Sequence, residues 1–157
     1  MRELLEYRTN LIERLVAAAR EFRAECSVVQ DAYVPLEPGG WNIHQIAAHT
    51  RDVDKLVYGA RLRRTAVENN PEFQNFDGEA YMIEHYSSAE PLNEILDELV
   101  NHVESLAGML RELPSQAWAR LSSHVMLGRG VTLQTWVEKD LAHIEEHLKA
   151  VRKPKNE

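Results

Sequence analysis

Two histidines four residues apart, His143 and His147, stand in the last apolar-periodic stretch of the chain, read as a helix over Thr132 to Arg152. Four residues advance an α-helix by roughly 400°, so the two imidazoles fall one turn apart on one face and can converge on a single ion. Such a pair needs a third ligand from another element. The candidate is His49, which falls on the stripe Ile46, His49, Val53, Leu56, Ala60, where an unpaired polar ring is out of place. Neutral imidazole nitrogens bind borderline divalent ions such as Zn, Ni, Fe or Co. Three such ligands leave a position for water or substrate. An ion held this way lowers the pKa of bound water or thiol, or polarises a carbonyl. Asp140, one turn before His143, is the candidate catalytic carboxylate: it can hydrogen-bond a ligand imidazole, orient bound water or accept a proton. A solvated carboxylate in an acidic protein is the plain alternative.

An i, i+4 histidine pair also arises by chance on an amphipathic helix. Without metal, three buried rings would each need partners to offset roughly 1 to 3 kcal/mol per unsatisfied group. The segment His143-Ile144-Glu145-Glu146-His147 also matches the inverted zinc-peptidase pattern H-x-x-E-H. That pattern recruits a carboxylate well downstream, and only ten residues follow His147. The match is read as accidental.

Composition bounds the classes. With 157 residues, 44% of them hydrophobic, the chain suffices for one compact domain, read as 1–153 with a short tail at 154–157. A net charge of −7 argues against a general nucleic-acid or anionic-membrane surface, though Arg61, Arg63 and Arg64 form a local basic patch. The start lacks an apolar leader and no run approaches a membrane span, so a cytoplasmic protein is expected. The single cysteine, Cys26, excludes an intramolecular disulfide and reads as a small apolar residue late in a helix.

The elements that position the histidines are helical. Apolar residues from Arg2 to Val29 keep helical intervals without Gly or Pro, and Arg8 reads as a snorkelling edge residue. Pro35, Pro38, Gly39 and Gly40 break the chain; Asn42 and Gln45 then form a capping box for a second helix running to about Glu68. His49 faces inward on it, His44 and Asp52 nearer its edges, and Trp41 packs back onto the bundle. Residues Asn69 to Gly78 read as a polar connection with two aromatics, a lid over one end. A short helical piece at Glu79 to Tyr86 carries His85, with Tyr81 and Tyr86 as further pocket candidates. A third helix spans Ala89 to Leu113 with Pro91 in its first turn and His102 beside its stripe, off the line to the other histidines. Ser115 to Arg120 read as a turn of helix and Leu121 to Val131 as an extended crossing. Thr132 caps the final helix, whose basic end (Lys149, Arg152, Lys153, Lys155) complements the helix dipole. Four long helices joined by some long connections describe an all-α four-helix bundle.

The run Pro38-Gly39-Gly40-Trp41-Asn42-Ile43-His44-Gln45-Ile46-Ala47-Ala48-His49, followed by Thr132-Leu133 and Asp140-Leu141-Ala142-His143-Ile144-Glu145-Glu146-His147-Leu148, resembles the DinB/YfiT-like superfamily. The resemblance spans nearly the whole chain. It implies an up-down-down-up four-helix bundle, often a homodimer, with one divalent ion, frequently nickel or zinc, on His49, His143 and His147. It also implies a reaction class: thiol S-transfer with bacillithiol or mycothiol as cosubstrate, a mycothiol-dependent isomerisation, or metal-dependent hydrolysis. No DNA partner follows from it. The other reading is a noncatalytic bundle that binds a small ligand or partner around a vestigial or structural metal site.

Overall fold

The computed structural model describes residues 1–152, so Lys153, Lys155 and the expected tail lie outside the described residues. Helix α1 is Arg2–Ser27. Helix α2, Ile43–Val53, begins at the expected box: Asn42 accepts from the Gln45 N–H and the Gln45 side chain accepts from the Asn42 N–H. It passes without a break through a π-helical turn, Asp54–Tyr58, into α3, Gly59–Val67. Helix α4 is Gly78–His85 and α5 is Leu92–Glu112, with Pro91 at its N-cap position rather than inside the first turn. Helix α6, Leu133–Arg152, is capped by Thr132, whose hydroxyl accepts from the Thr135 N–H.

Side-chain pairs fix the helix directions. Tyr7 meets Glu138, Arg14 meets Glu145 and Glu21 meets Arg152, so α1 and α6 run parallel. Arg20 with Glu104 and Arg23 with Asp97 set α1 against α5 antiparallel. Arg51 with Glu90, Lys55 with Glu98 and Arg63 with Ser105 make the α2–α3 rod parallel to α5. The order is up-down-down-up. Two parallel neighbours in sequence demand a connection that travels the length of the bundle, and residues 68–91 provide it.

The core is apolar at its centre: Leu15, Phe22, Leu62, Leu99, Leu106, Leu133, Trp136 and Ile144 are fully buried. Cys26 belongs to it, and burial pushes its thiol pKa up to about 12. Arg8 bridges the α1 edge to Gln134 and Ser115 and lies 5.2 Å from the Trp118 ring.

Three expectations change. The connection at Asn69 to Gly78 and the crossing at Leu121 to Val131 pair as a small sheet: β1 (Glu72–Phe73) parallel to β2 (Leu121–His124), which is antiparallel to β3 (Gly128–Thr132). Gly128 and Gly130 take positive φ (+89° and +78°), which bends β3 beside a register shift at Ser122/Ser123. The stripe through Leu56 also fails, because Leu56 is 46% exposed while Val57 is buried. A π-turn inserts one extra residue and rotates everything after it by about a quarter turn. His44, expected near an edge, is fully buried.

Candidate functional site

The three predicted ligands meet. One nitrogen each from His49, His143 and His147 lie within 4.8 Å of one another. The Nε2 atoms of His143 and His147 are 3.0 Å apart, and the His49 ring centroid is 5.4 and 5.0 Å from theirs. Local structure explains the convergence. Helical spacing stacks His143 above His147 on α6, and α2 crosses antiparallel to bring His49 over both. Trp41 packs edge-on against His49, with ring centroids 5.1 Å apart. Gly78, the first residue of α4, closes the other side: a Cβ there would stand 2.9 Å from His49 Cε1.

Electrostatics keep these rings neutral. Burial, then the adjacent His147, lowers the His49 pKa to about 4, and burial, then His147 and His49, lowers that of His143 to about 3. Burial lowers His147 as well. All three therefore offer lone pairs at neutral pH. The Nδ1 of His143 is buried without a hydrogen-bond partner. A donor set of three neutral imidazoles with an orphaned nitrogen fits a borderline divalent ion.

Asp140 is not in this cluster. It is fully buried on α6, neither oxygen receives a hydrogen bond, and its carboxyl lies against that of Asp54. Burial, then the charge of Asp54, raises its pKa well above the carboxylate range. Asp54 in turn accepts from His102 Nδ1 at 2.5 Å, and Arg63 donates to His102 Nε2 at 2.9 Å. His102 thus stands apart from the triad, as its position on α5 foretold. His85 is exposed and stacks on Tyr81 with centroids 3.9 Å apart, away from the cluster. Tyr86 is taken up by His44 Nδ1 at 2.6 Å.

A cavity of about 510 Å³ opens beside the cluster, lined by His49 and His143 together with residues that periodicity did not single out. Tyr58, at the end of the π-turn, places its ring 5.6 Å from that of His143. His124 caps the far wall from β2, and Arg61 lies over Trp136 at 4.8 Å. The basic patch is visible in sequence, but of its three arginines, which helical rotation spreads around α3, only Arg61 lines the cavity. On the opposite side, a second cavity of about 1030 Å³ is lined by Trp41, Glu79, Glu146 and His147. Glu146, noticed in sequence only through the peptidase pattern, is the carboxylate whose charge reaches His49.

A family model, that of the DinB superfamily, matches residues 14–151. Among solved structures, the chain is similar to YfiT from Bacillus subtilis, described as a probable metal-dependent hydrolase with an unusual four-helix bundle topology. The TM-score is 0.83 at 21% identity, over 93% of this chain and 84% of that one. No curated protein matches the sequence. No described helix is long and apolar enough to cross a membrane.

Proposed function

The chain belongs to the DinB superfamily, and from that premise we propose that it is a metal-dependent enzyme of hydrolase or thiol S-transferase type, with one divalent ion held by His49, His143 and His147. One observation carries the reading: three imidazoles with lowered pKa values converge within 4.8 Å at the wall of a cavity. Nickel or zinc suits the donor set best, with iron or cobalt next. When bound, the ion would supply a Lewis acid that activates water or a low-molecular-weight thiol such as bacillithiol or mycothiol.

The chain's own residues supply the rest. Glu146, exposed beside His147 in the second cavity, serves as proton acceptor for the activated nucleophile. Tyr58 faces the cavity with a raised pKa, chiefly from burial, and so keeps its O–H to donate to a developing oxyanion. Asp140 is a positioning residue: its carboxyl, buried against that of Asp54, packs the turn that precedes His143 onto the π-turn. The proposed setting is a cytoplasmic homodimer acting on small molecules.

Reconstitution tests it. Tag-free protein loaded with Ni, Zn, Fe or Co should take about one equivalent per chain. It should then turn over activated esters or conjugate a thiol to an electrophile. His147→Ala should lose both with its circular dichroism unchanged. Full activity in that variant, or no turnover with any ion across both panels, contradicts the proposal.

A further inference from the structure

Arg61 is half-buried at the wall of the 510 Å³ cavity, and no carboxylate among the described residues pairs with it. Its one hydrogen bond runs from Nη2 to the Gln74 carbonyl at 2.9 Å. Three aromatic rings hold it: the guanidinium lies 4.8 Å from the Trp136 centroid and 5.9 Å from those of Tyr58 and Phe73. Arg51, whose side chain is 11% exposed, is met by Asp52, Glu90 and Glu98. Desolvating a guanidinium without a counter-charge is costly, and burial accordingly lowers the Arg61 pKa.

The rest of the lining has the same sign. Lys139 stands at the cavity wall without an ion pair among the described residues, and no Asp or Glu lines it. His124, on the far wall, feels both cations, which after burial lower its pKa. A positive cavity in a chain of net charge −7 is a local design, not a consequence of composition. Between the cations the walls are apolar, with Val53, Val57, Phe76 and Trp136.

We propose that this cavity is a carboxylate-binding site, in which Arg61 forms a forked pair with the carboxylate of a small molecule whose aromatic or aliphatic body lies against Trp136 and Phe76, with Lys139 adding charge at the wall. The site names the substrate class of the reaction proposed above and rests on that reading only in taking this cavity, rather than the acidic one beside Glu146, as the substrate side of the histidines. The guanidinium fork matches a carboxylate in two parallel hydrogen bonds, which an amide of the same shape cannot make.

Binding is measured on metal-stripped protein, because a bound ion would attract any carboxylate by itself. The probe pair is 4-nitrobenzoate and its neutral isostere 4-nitrobenzamide, titrated by NMR while following the indole N–H of Trp136. The acid should shift that resonance saturably and bind at least tenfold tighter than the amide. Arg61→Met should reduce the preference below twofold, and Arg61→Lys, which keeps charge without the fork, should keep part of it. Zinc uptake should be unchanged in both variants. Equal affinities in the wild type, no saturable shift at Trp136, or a full preference surviving in Arg61→Met would overturn the inference. Should Arg61→Met not fold, a full preference in Arg61→Lys would overturn the fork. Failure of zinc uptake in the wild type would remove the metal reading and leave the anion preference standing.

Discussion

His44 and His49 leave the same helix five residues apart, yet their surroundings differ in kind. Around His44 every valence is met: Nδ1 pairs with the Tyr86 hydroxyl and Nε2 donates to the Glu90 carbonyl, both at 2.6 Å, while Tyr33 stacks on the ring at 4.8 Å. His102 is likewise served on both nitrogens, by Asp54 and Arg63, and His124 Nδ1 accepts from the Met126 and Leu127 N–H groups. The His49 ring instead packs against the two other imidazoles and the edge of Trp41. The difference separates a histidine tied into the fold by hydrogen bonds from one set against other imidazoles. His44 and His102 are satisfied by hydrogen bonds, whereas His49, His143 and His147 face one another, and the proposed metal site rests on that contrast.

The comparison can be broken by exchanging the losses. Removing a ligand ring should cost metal and little stability. His143→Ala is expected to weaken ion binding by roughly a thousandfold, beyond the 10–100-fold typical of outer partners, read by competition with a chromophoric chelator. Removing the structural ring should do the reverse. His44→Ala leaves a cavity and strands the Tyr86 hydroxyl and Glu90 carbonyl, so urea unfolding should report a loss of about 3 kcal/mol with metal stoichiometry intact. A variant that lost both properties at either position would erase the distinction.

Smaller changes sharpen it. Gly78→Ala pushes a methyl against His49 Cε1 and should lower ion affinity about tenfold while leaving the melting temperature within a few degrees. Acid should act on the cluster through the lowered pKa values. Unfolded histidines take a proton near pH 6.5, whereas folded His49 and His143 resist until about 4 and 3. The unfolded chain therefore binds more protons in that window. Stability of the metal-free protein is held above pH 6.5 and declines as pH falls toward 4. A thermal-shift series should show that decline flattened in His143→Ala.

Periodicity was enough to locate the triad, because α2 and α6 keep regular 3.6-residue spacing where those residues stand. It was also enough for the helices, the Asn42–Gln45 box and the Thr132 cap, all of which are local devices. Its reach ended at Asp54. A π-turn leaves no mark in an apolar pattern, so Leu56 was placed inside and Tyr58 and Asp54 passed unnoticed. Asp140 was read from its distance to His143 alone, and spacing cannot reveal that the Asp54 carboxyl lies against it. The sheet was hidden because β1 has two residues and finds β2 nearly fifty positions away. His124 and Arg61 face one cavity only through that long-range pairing and the added turn.

Metal content decides the central claim most directly. Tag-free wild type, His147→Ala and His44→Ala should be stripped, reloaded with nickel or zinc, desalted and analysed for metal per folded chain. The account predicts about one equivalent in wild type and His44→Ala and none in His147→Ala. An empty wild type after loading with each ion, or equal retention in His147→Ala, would contradict it.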